Sequence, residues 1–349
     1  MSSLTASHPG LKGHRLPGYA PIIAGMAAGL AAFGLNLVTP VSGVAGTTTV
    51  AVLLFLVGHT AWSFTVEGRR HAVDRLATTL IYTCFVVALI PLAWIVETVI
   101  QRGTKVLGPY LLTHSMRGVG ANEAGGGLYH ALIGTIEQVL IAAAISVPIG
   151  ILTAVYLVEY GRHSRLSRAI GFFVDVMTGV PSIIAGLFIY TAFIVSLGFQ
   201  RTGLAGALAL AILMIPVVVR STEEMLKVVP HELREAAYAL GIPKWRTIMR
   251  VVIPTALGGI TTGVMLAIAR VSGETAPLLL TTFLSQSINF NPATGPQASL
   301  PTFIWDQIGS ATHNSLDRAW AGALVLIIFV ALLYIAARIV ARISGGRRA

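Results

Sequence analysis

Residues 220–254, RSTEEMLKVVPHELREAAYALGIPKWRTIMRVVIP, interrupt an otherwise apolar half of the chain. The stretch is too polar to lie in hydrocarbon, and its spacing is helical. Leu233, Ala236, Ala237 and Leu240 recur at i, i+3, i+4 and i+7, one apolar stripe on a short helix. Pro230 suits the first turn, Glu232 and Glu235 favour the N-terminal end, and Gly241 suits the stop. Pro243 then begins a second helical stretch that leads into the next apolar run. LALAILMIPVVV (208–219) precedes the stretch, and an apolar block at about 253–269 follows it. Two long apolar helices therefore project a polar helical segment into water.

Working outward, further apolar blocks fall at about 20–38, 47–66, 76–100, 129–158, 169–197, 203–219 and 320–338, which with 253–269 makes eight. Many are near the ~20 residues that a helix needs to cross a bilayer. Apolar residues form 55% of the 349 and charged residues 11%, against roughly 25% charged in soluble domains. The chain could not cover its own surface in water. Backbone polar groups in lipid must be paired internally, which leaves helices or closed barrels, and these blocks are too long and unbroken for barrel strands. The fold class is all-α, a polytopic transmembrane helical bundle. The run through APLLLTTFL (276–284) contains Pro277 and polar neighbours. It leaves open whether 271–285 re-enters or crosses, and favours a broken or partly inserted segment over a ninth span.

The formal charge of +10 lies between the apolar blocks rather than in one stripe, so no nucleic-acid partner is expected. Lys and Arg counted over the short loops place both termini in the cytoplasm. Lys12, Arg15, Arg69, Arg70, Arg75, Arg162, Arg165, Arg168, the basic stretch from Arg220 to Arg250, Arg338, Arg342, Arg347 and Arg348 all fall on that side. Outside loops carry only Arg102, Lys105, Arg117 and Arg201, with Arg270 and Arg318 near span ends. The start of the chain lacks a clear small-residue cleavage site and reads as a retained anchor. The outside segment 101–128, ending in GVGANEAGGG (118–127), reads as irregular surface polypeptide.

No GxxxxGK[ST] or HExxH sequence occurs, Cys84 is the lone cysteine, and the nine histidines do not cluster. Neither catalysis nor a metal or cofactor held by this chain is expected. Ionisable groups in spans are costly and point to function. Arg220, at the end of 208–219, has a guanidinium able to grip an oxyanion, or else snorkels to mark the inner interface. Glu223 and Glu224 are plain helix stabilisers through i,i+4 pairing of Glu223 with Lys227 and of Arg220 with Glu224, or one of them gates Arg220. Arg270 and Glu274 form a further i,i+4 pair, structural or lining a path. Thr178, Gly179 and Ser182 flank Pro181, which interrupts a span and frees backbone groups, although helix packing through small residues explains the same pattern. Glu137 and Asp175 lie within spans without obvious partners.

Residues 232–240 either dock into a cleft of another protein or lie flat on the membrane. EAAYALGIPKWRTIMRVVIPTAL (235–257) resembles the EAA motif of the membrane subunits of bacterial ABC importers, through Glu235-Ala236-Ala237, Gly241 and Ile253-Pro254. That resemblance implies a coupling helix seated on a nucleotide-binding subunit, with Glu235, Ala236, Ala237, Tyr238, Leu240 and Gly241 at the contact. MTGVPSIIAGLFIY (177–190), IPVVVRSTEE (215–224) and ARVSGETAPLLLTT (269–282) are similar to the phosphate permeases of this class, the PstA type. The similarity spans about 75–345 and implies the type I importer permease fold, with six of the eight spans as core and 220–252 as coupling segment. Residues 1–74 then supply a cytoplasmic segment and two additional helices. It further implies a related permease resembling PstC, two ATPase subunits that use ATP and Mg²⁺, and an extracytoplasmic phosphate-binding protein as partners. The cargo implied is inorganic phosphate, moved by alternating access along Arg220, Glu223, Glu224, Arg270, Glu274, Thr178 and Ser182. Another oxyanion or small solute is the alternative, because the EAA-like segment is blind to cargo.

Overall fold

A computed structural model describes residues 15–38, 44–161 and 164–346. The expectations for Lys12, Arg162, Arg347 and Arg348 lie outside the described residues. Regular structure among the described residues is entirely helical, as a chain in hydrocarbon requires. Six of these helices are long and apolar enough to cross a membrane, or seven if one bent pair counts as a span. The chain separates into two compact units, Met1–Glu97 and Thr98–Ala349.

In the first unit α1 (Ala20–Val38) packs on α2 (Val44–Glu67). Gly68, at φ +86°, turns the chain into α3 (Arg69–Val106), which continues past the boundary into the second unit. A left-handed residue is needed at that turn, and glycine takes it without a Cβ clash. The Glu67 carboxylate gathers the ends of all three helices. It accepts from the amide of Leu16 at 2.7 Å, from Ser63 Oγ at 2.8 Å, and from Arg75 Nε and Nη2 at 2.5 and 2.7 Å.

The second unit is centred on α5 (Tyr129–Val155) and α8 (Gly203–Val228). Small residues let the two helices approach closely. A Cβ on Gly150 would lie 2.8 Å from Val218 Cβ, and Ser146 Oγ donates to the Ala211 carbonyl at 3.2 Å. Between lipid-like surfaces, close packing of this kind supplies association that the hydrophobic effect does not. Ala142, Leu210, Met214, Val218, Ile260 and Ala267 fill the core with α11 (Ile253–Ser272). The end of α5 widens into a π-helical turn at Tyr156–Tyr160.

The block at 169–197 is not one straight span. It forms α6 (Arg165–Thr178) and α7 (Ser182–Ile189), the latter extended by π turns through Val195, and the two meet at 107°. Ser164 caps α6, its Oγ accepting from the amide of Ser167. Gly179 ends that helix, and Pro181 lacks the N–H that would continue it while excluding Val180 from helical backbone. Residues 271–285 do not cross either. After α11 stops at Ser272, α12 (Ala276–Thr281) has six residues, about 9 Å of helix, and lies against α7, where a Cβ on Gly186 would come within 2.5 Å of Pro277 Cα.

The segment 101–128 is less irregular than expected. Residues 101–106 complete α3, α4 (Pro109–Thr113) follows, and Leu111, Met116 and Leu128 are buried in a second apolar cluster. That cluster includes Leu300 and Phe303 of α13 (Leu300–Ser310), and Ala321 and Val325 of α14 (His313–Gly346). The glycine-rich end is held by Arg318, which is 2% exposed. Its guanidinium donates to the carbonyls of Ala121, Glu123 and Gly125 at 3.0, 2.9 and 3.1 Å, and to Gln307 Oε1 at 2.7 Å. Glu137 meets the strand of chain before α13, accepting from Gln297 Nε2 at 2.5 Å.

Because Gly186 faces backbone, Gly186→Ala is expected to destabilise the protein by about 1–3 kcal/mol through overpacking. Gly171, with open space around it, serves as control, and Gly171→Ala is expected to leave thermal unfolding in detergent unchanged or raised.

Candidate functional site

Two helix interruptions meet at one cavity. The bend at 179–181, the gap between α11 and α12, and Pro216 within α8 surround a space of ≈ 210 Å³. Thr178, Ser182, Arg270 and Glu274, four residues singled out in the sequence, line it together. The amides of a first helical turn have no intrahelical partners, and the start of α7 at Ser182 opens on this cavity. The site thus offers the Ser182 hydroxyl, the amides that open α7 and one guanidinium beside one carboxylate, while the Thr178 hydroxyl donates to the Val174 carbonyl. The expected pairing of Arg270 with Glu274 does not form: no ion pair joins them among the described residues. The helix ends at Ser272 with Gly273 as its cap, so Glu274 is no longer one turn along from Arg270.

Arg220 and Glu223 belong to a different place, a cavity of ≈ 350 Å³ that also touches Gly171 and Lys227. Here both terminal nitrogens of the Arg220 guanidinium are engaged. It donates to Glu223 Oε2 at 2.5 Å, to the Gly171 carbonyl at 3.1 Å and to the Asp175 carboxylate. Lys227 Nζ donates to Glu223 Oε1 at 2.7 Å, the i,i+4 pair expected from the sequence. The pairing of Arg220 with Glu224 is replaced by one with Glu223, three residues along, and Glu224 is exposed. Asp175 finds its partner 45 residues away, so α6 is tied to α8 through one arginine.

The cytoplasmic helix α9 (His231–Ala239), followed by the short α10 (Lys244–Thr247), has the stop that Gly241 predicted. Gly241 sits at φ +73°, its amide bonds the Tyr238 carbonyl, and the Ile242 amide bonds the Ala237 carbonyl. This is the paired closure of a Schellman end, which needs a left-handed residue at that position. The apolar stripe, however, is divided. Ala237 packs inward, whereas Leu233, Ala236, Tyr238 and Leu240 remain exposed, Leu240 at 80%. Glu235 is exposed beside them.

What holds α9 in place was not singled out in the sequence. Arg234 is buried and donates through Nε and Nη2 to Glu159 Oε1 at 3.0 and 2.8 Å. Its remaining donors close the end of α8, reaching the carbonyls of Leu226 and Val229 at 3.0 and 2.7 Å. A carboxylate at the close of an apolar block and an arginine three residues before the buried Ala237 were the available signals. Removing one partner of a buried pair strands the other charge, at about 3–5 kcal/mol. Arg234→Ala is therefore expected to lower the unfolding temperature in detergent and to expose 229–243 to limited proteolysis. Arg234→Lys, which cannot reach Glu159 and the carbonyls together, is expected to recover only part of either.

Among the described residues no group of three or more His, Cys, Asp or Glu could hold a metal ion. Residues 146–348 match the family described as binding-protein-dependent transport system inner membrane component. The chain is 51% identical over 281 residues to the phosphate transport system permease protein PstA 1 of Mycobacterium tuberculosis, covering 80% of this chain and 91% of that one. It is 44% identical over 270 residues to PstA of Pasteurella multocida, covering 77% and 95%. A chain of the MetNI methionine ABC transporter in an inward-facing conformation superposes with a TM-score of 0.52 at 20% identity, over 68% of this chain and 99% of that one. That likeness concerns the fold alone, which is the importer permease bundle. The chain is a multi-pass membrane protein and belongs to the binding-protein-dependent transport system inner membrane components, in the branch of the PstA phosphate permeases.

Proposed function

We propose that this chain forms half of the membrane path of an ATP-driven phosphate importer, and that phosphate passes the cavity between the α6–α7 bend and the α11–α12 break. The observation that carries this is the meeting of two broken helices with Arg270 at one cavity. Broken helices place free amides and carbonyls where a cargo binds, and a helix start favours an anion. Arg270 makes no ion pair among the described residues and is free to donate to an oxyanion. Glu274 on the same wall keeps the site weak, which conduction needs so that the ion leaves again. Ser182 adds a neutral donor, while the Thr178 hydroxyl donates to the Val174 carbonyl at 2.9 Å and lines the wall.

Arg220 has a different part in this scheme. Held by Glu223 and Asp175, it latches α6 to α8 in the present conformation, and the latch is exchanged when the helices rearrange. Glu224, exposed one residue on, is an alternative partner for that exchange. A conformational cycle needs differential contacts in its two states, and a guanidinium shared by several carboxylates supplies them. The exposed Glu235, Ala236, Tyr238 and Leu240, closed by Gly241, form the surface on which an ATPase subunit seats, with Ala237 and Arg234 fixing that surface to the bundle. Two such ATPase subunits use ATP and Mg²⁺, a PstC-like permease completes the path, and an extracytoplasmic binding protein delivers phosphate. The first two helices are additional to the six-helix core of 75–345 in this scheme.

The test is phosphate uptake and phosphate-stimulated ATP hydrolysis by the whole complex in vesicles. Arg270→Ala is expected to lower uptake about tenfold or more with assembly and basal hydrolysis retained, the size of one charge-assisted contact. Unchanged uptake removes Arg270 from the path, and stimulation by sulfate or molybdate in place of phosphate changes the cargo. Leu240→Asp is expected to release the ATPase subunits on purification while the two permeases remain together.

A further inference from the structure

The first unit holds a cavity of ≈ 840 Å³ among α1, α2 and α3, larger than either cavity described above. Its volume is in the range of sites that take sizeable organic ligands. One end is charged, with Arg15, His71 and Asp74 beside the Glu67–Arg75 pair. The shaft is mainly apolar, running along Val52, Phe55, Val86, Val87 and Ile90, with threonines interspersed on its wall. His59 projects on this shaft, stacked on Phe55 with ring centroids 5.5 Å apart. It is 3% exposed, and neither ring nitrogen has a hydrogen-bond partner among the described residues. A neutral imidazole has one donor and one acceptor, and leaving both unmet in a buried place is costly unless something else meets them.

We infer that this cavity binds one zwitterionic phospholipid, its phosphate on Arg15, its ammonium on Asp74, and its glycerol or ester oxygens on His59. The charges select this class. Glu67 and Arg75 neutralise each other, and both Glu67 oxygens are further occupied by Leu16 and Ser63. Arg15 and Asp74 are left with opposite signs at the same open end, and neither makes an ion pair among the described residues. An acidic headgroup without an amine meets Asp74 as a repelling neighbour. Free phosphate does so too and leaves the apolar shaft unfilled. The depth of His59 also fits. It lies eight residues before Glu67 on α2, about 12 Å along the helix, where the backbone of a lipid follows its headgroup. The charged end is the one that the arginine distribution places at the cytoplasmic leaflet.

The test uses the full chain in mild detergent, by native mass spectrometry and thermal unfolding, with phosphatidylethanolamine, phosphatidylglycerol and inorganic phosphate as probes. The intact chain is expected to retain one phosphatidylethanolamine with about tenfold preference over phosphatidylglycerol, one charge-assisted contact in size. Asp74→Asn, at an exposed position, is expected to erase that preference. His59→Leu is expected to bind lipid less tightly yet to unfold at a higher temperature without lipid, since no buried polar group is stranded. Equal retention of both lipids by the intact chain, or undiminished phosphatidylethanolamine binding by His59→Leu, overturns the assignment. Stabilisation by inorganic phosphate alone does so as well.

Discussion

A backbone amide in hydrocarbon has no water to bond, and each one left unpaired costs several kcal/mol. Everything in this molecule follows from where that demand is met within a helix and where it is not. The long helices satisfy themselves. At Gly179 to Pro181 and at Gly273 the ladder is cut, and the liberated groups are tolerated because protein surrounds them or a polar cavity receives them. The breaks at 179–181 and 273 line one cavity together, the one through which phosphate is proposed to pass.

The same demand explains the arginines. Arg234 closes the carbonyls at the end of α8 and Arg318 those of a glycine-rich loop. A guanidinium has five donors in a fixed fork, so one side chain completes several open backbone ends. Arg234 and Arg318 use theirs within the fold and Arg220 spends its on Asp175, Glu223 and Gly171, whereas Arg270 is uncommitted. That contrast separates the cations that hold the fold together from the one whose donors face a cavity.

How much was legible in the sequence depended on range. The helices were readable because their apolar blocks are contiguous, and Gly241 and Pro181 marked their stops through local backbone rules. The pairing of Lys227 with Glu223 was readable for the same reason, one helical turn. Asp175 with Arg220 and Glu159 with Arg234 are separated by 45 and 75 residues, and no local spacing announces them. The pairing of Arg270 with Glu274 failed in the opposite sense: four residues apart on paper, they straddle the end of a helix. The 107° angle at the α6–α7 bend is likewise set by what packs on either side, although the site of the bend was marked by its proline.

The hold of Arg318 on 121–125 has an entropic side. A glycine-rich loop ordinarily samples many shapes and must surrender that freedom whenever a partner lands on it. Here that freedom is already surrendered in the fold, because Arg318 holds the carbonyls of Ala121, Glu123 and Gly125. A partner landing there would meet a loop already ordered, so little of its binding free energy would go to fixing the loop.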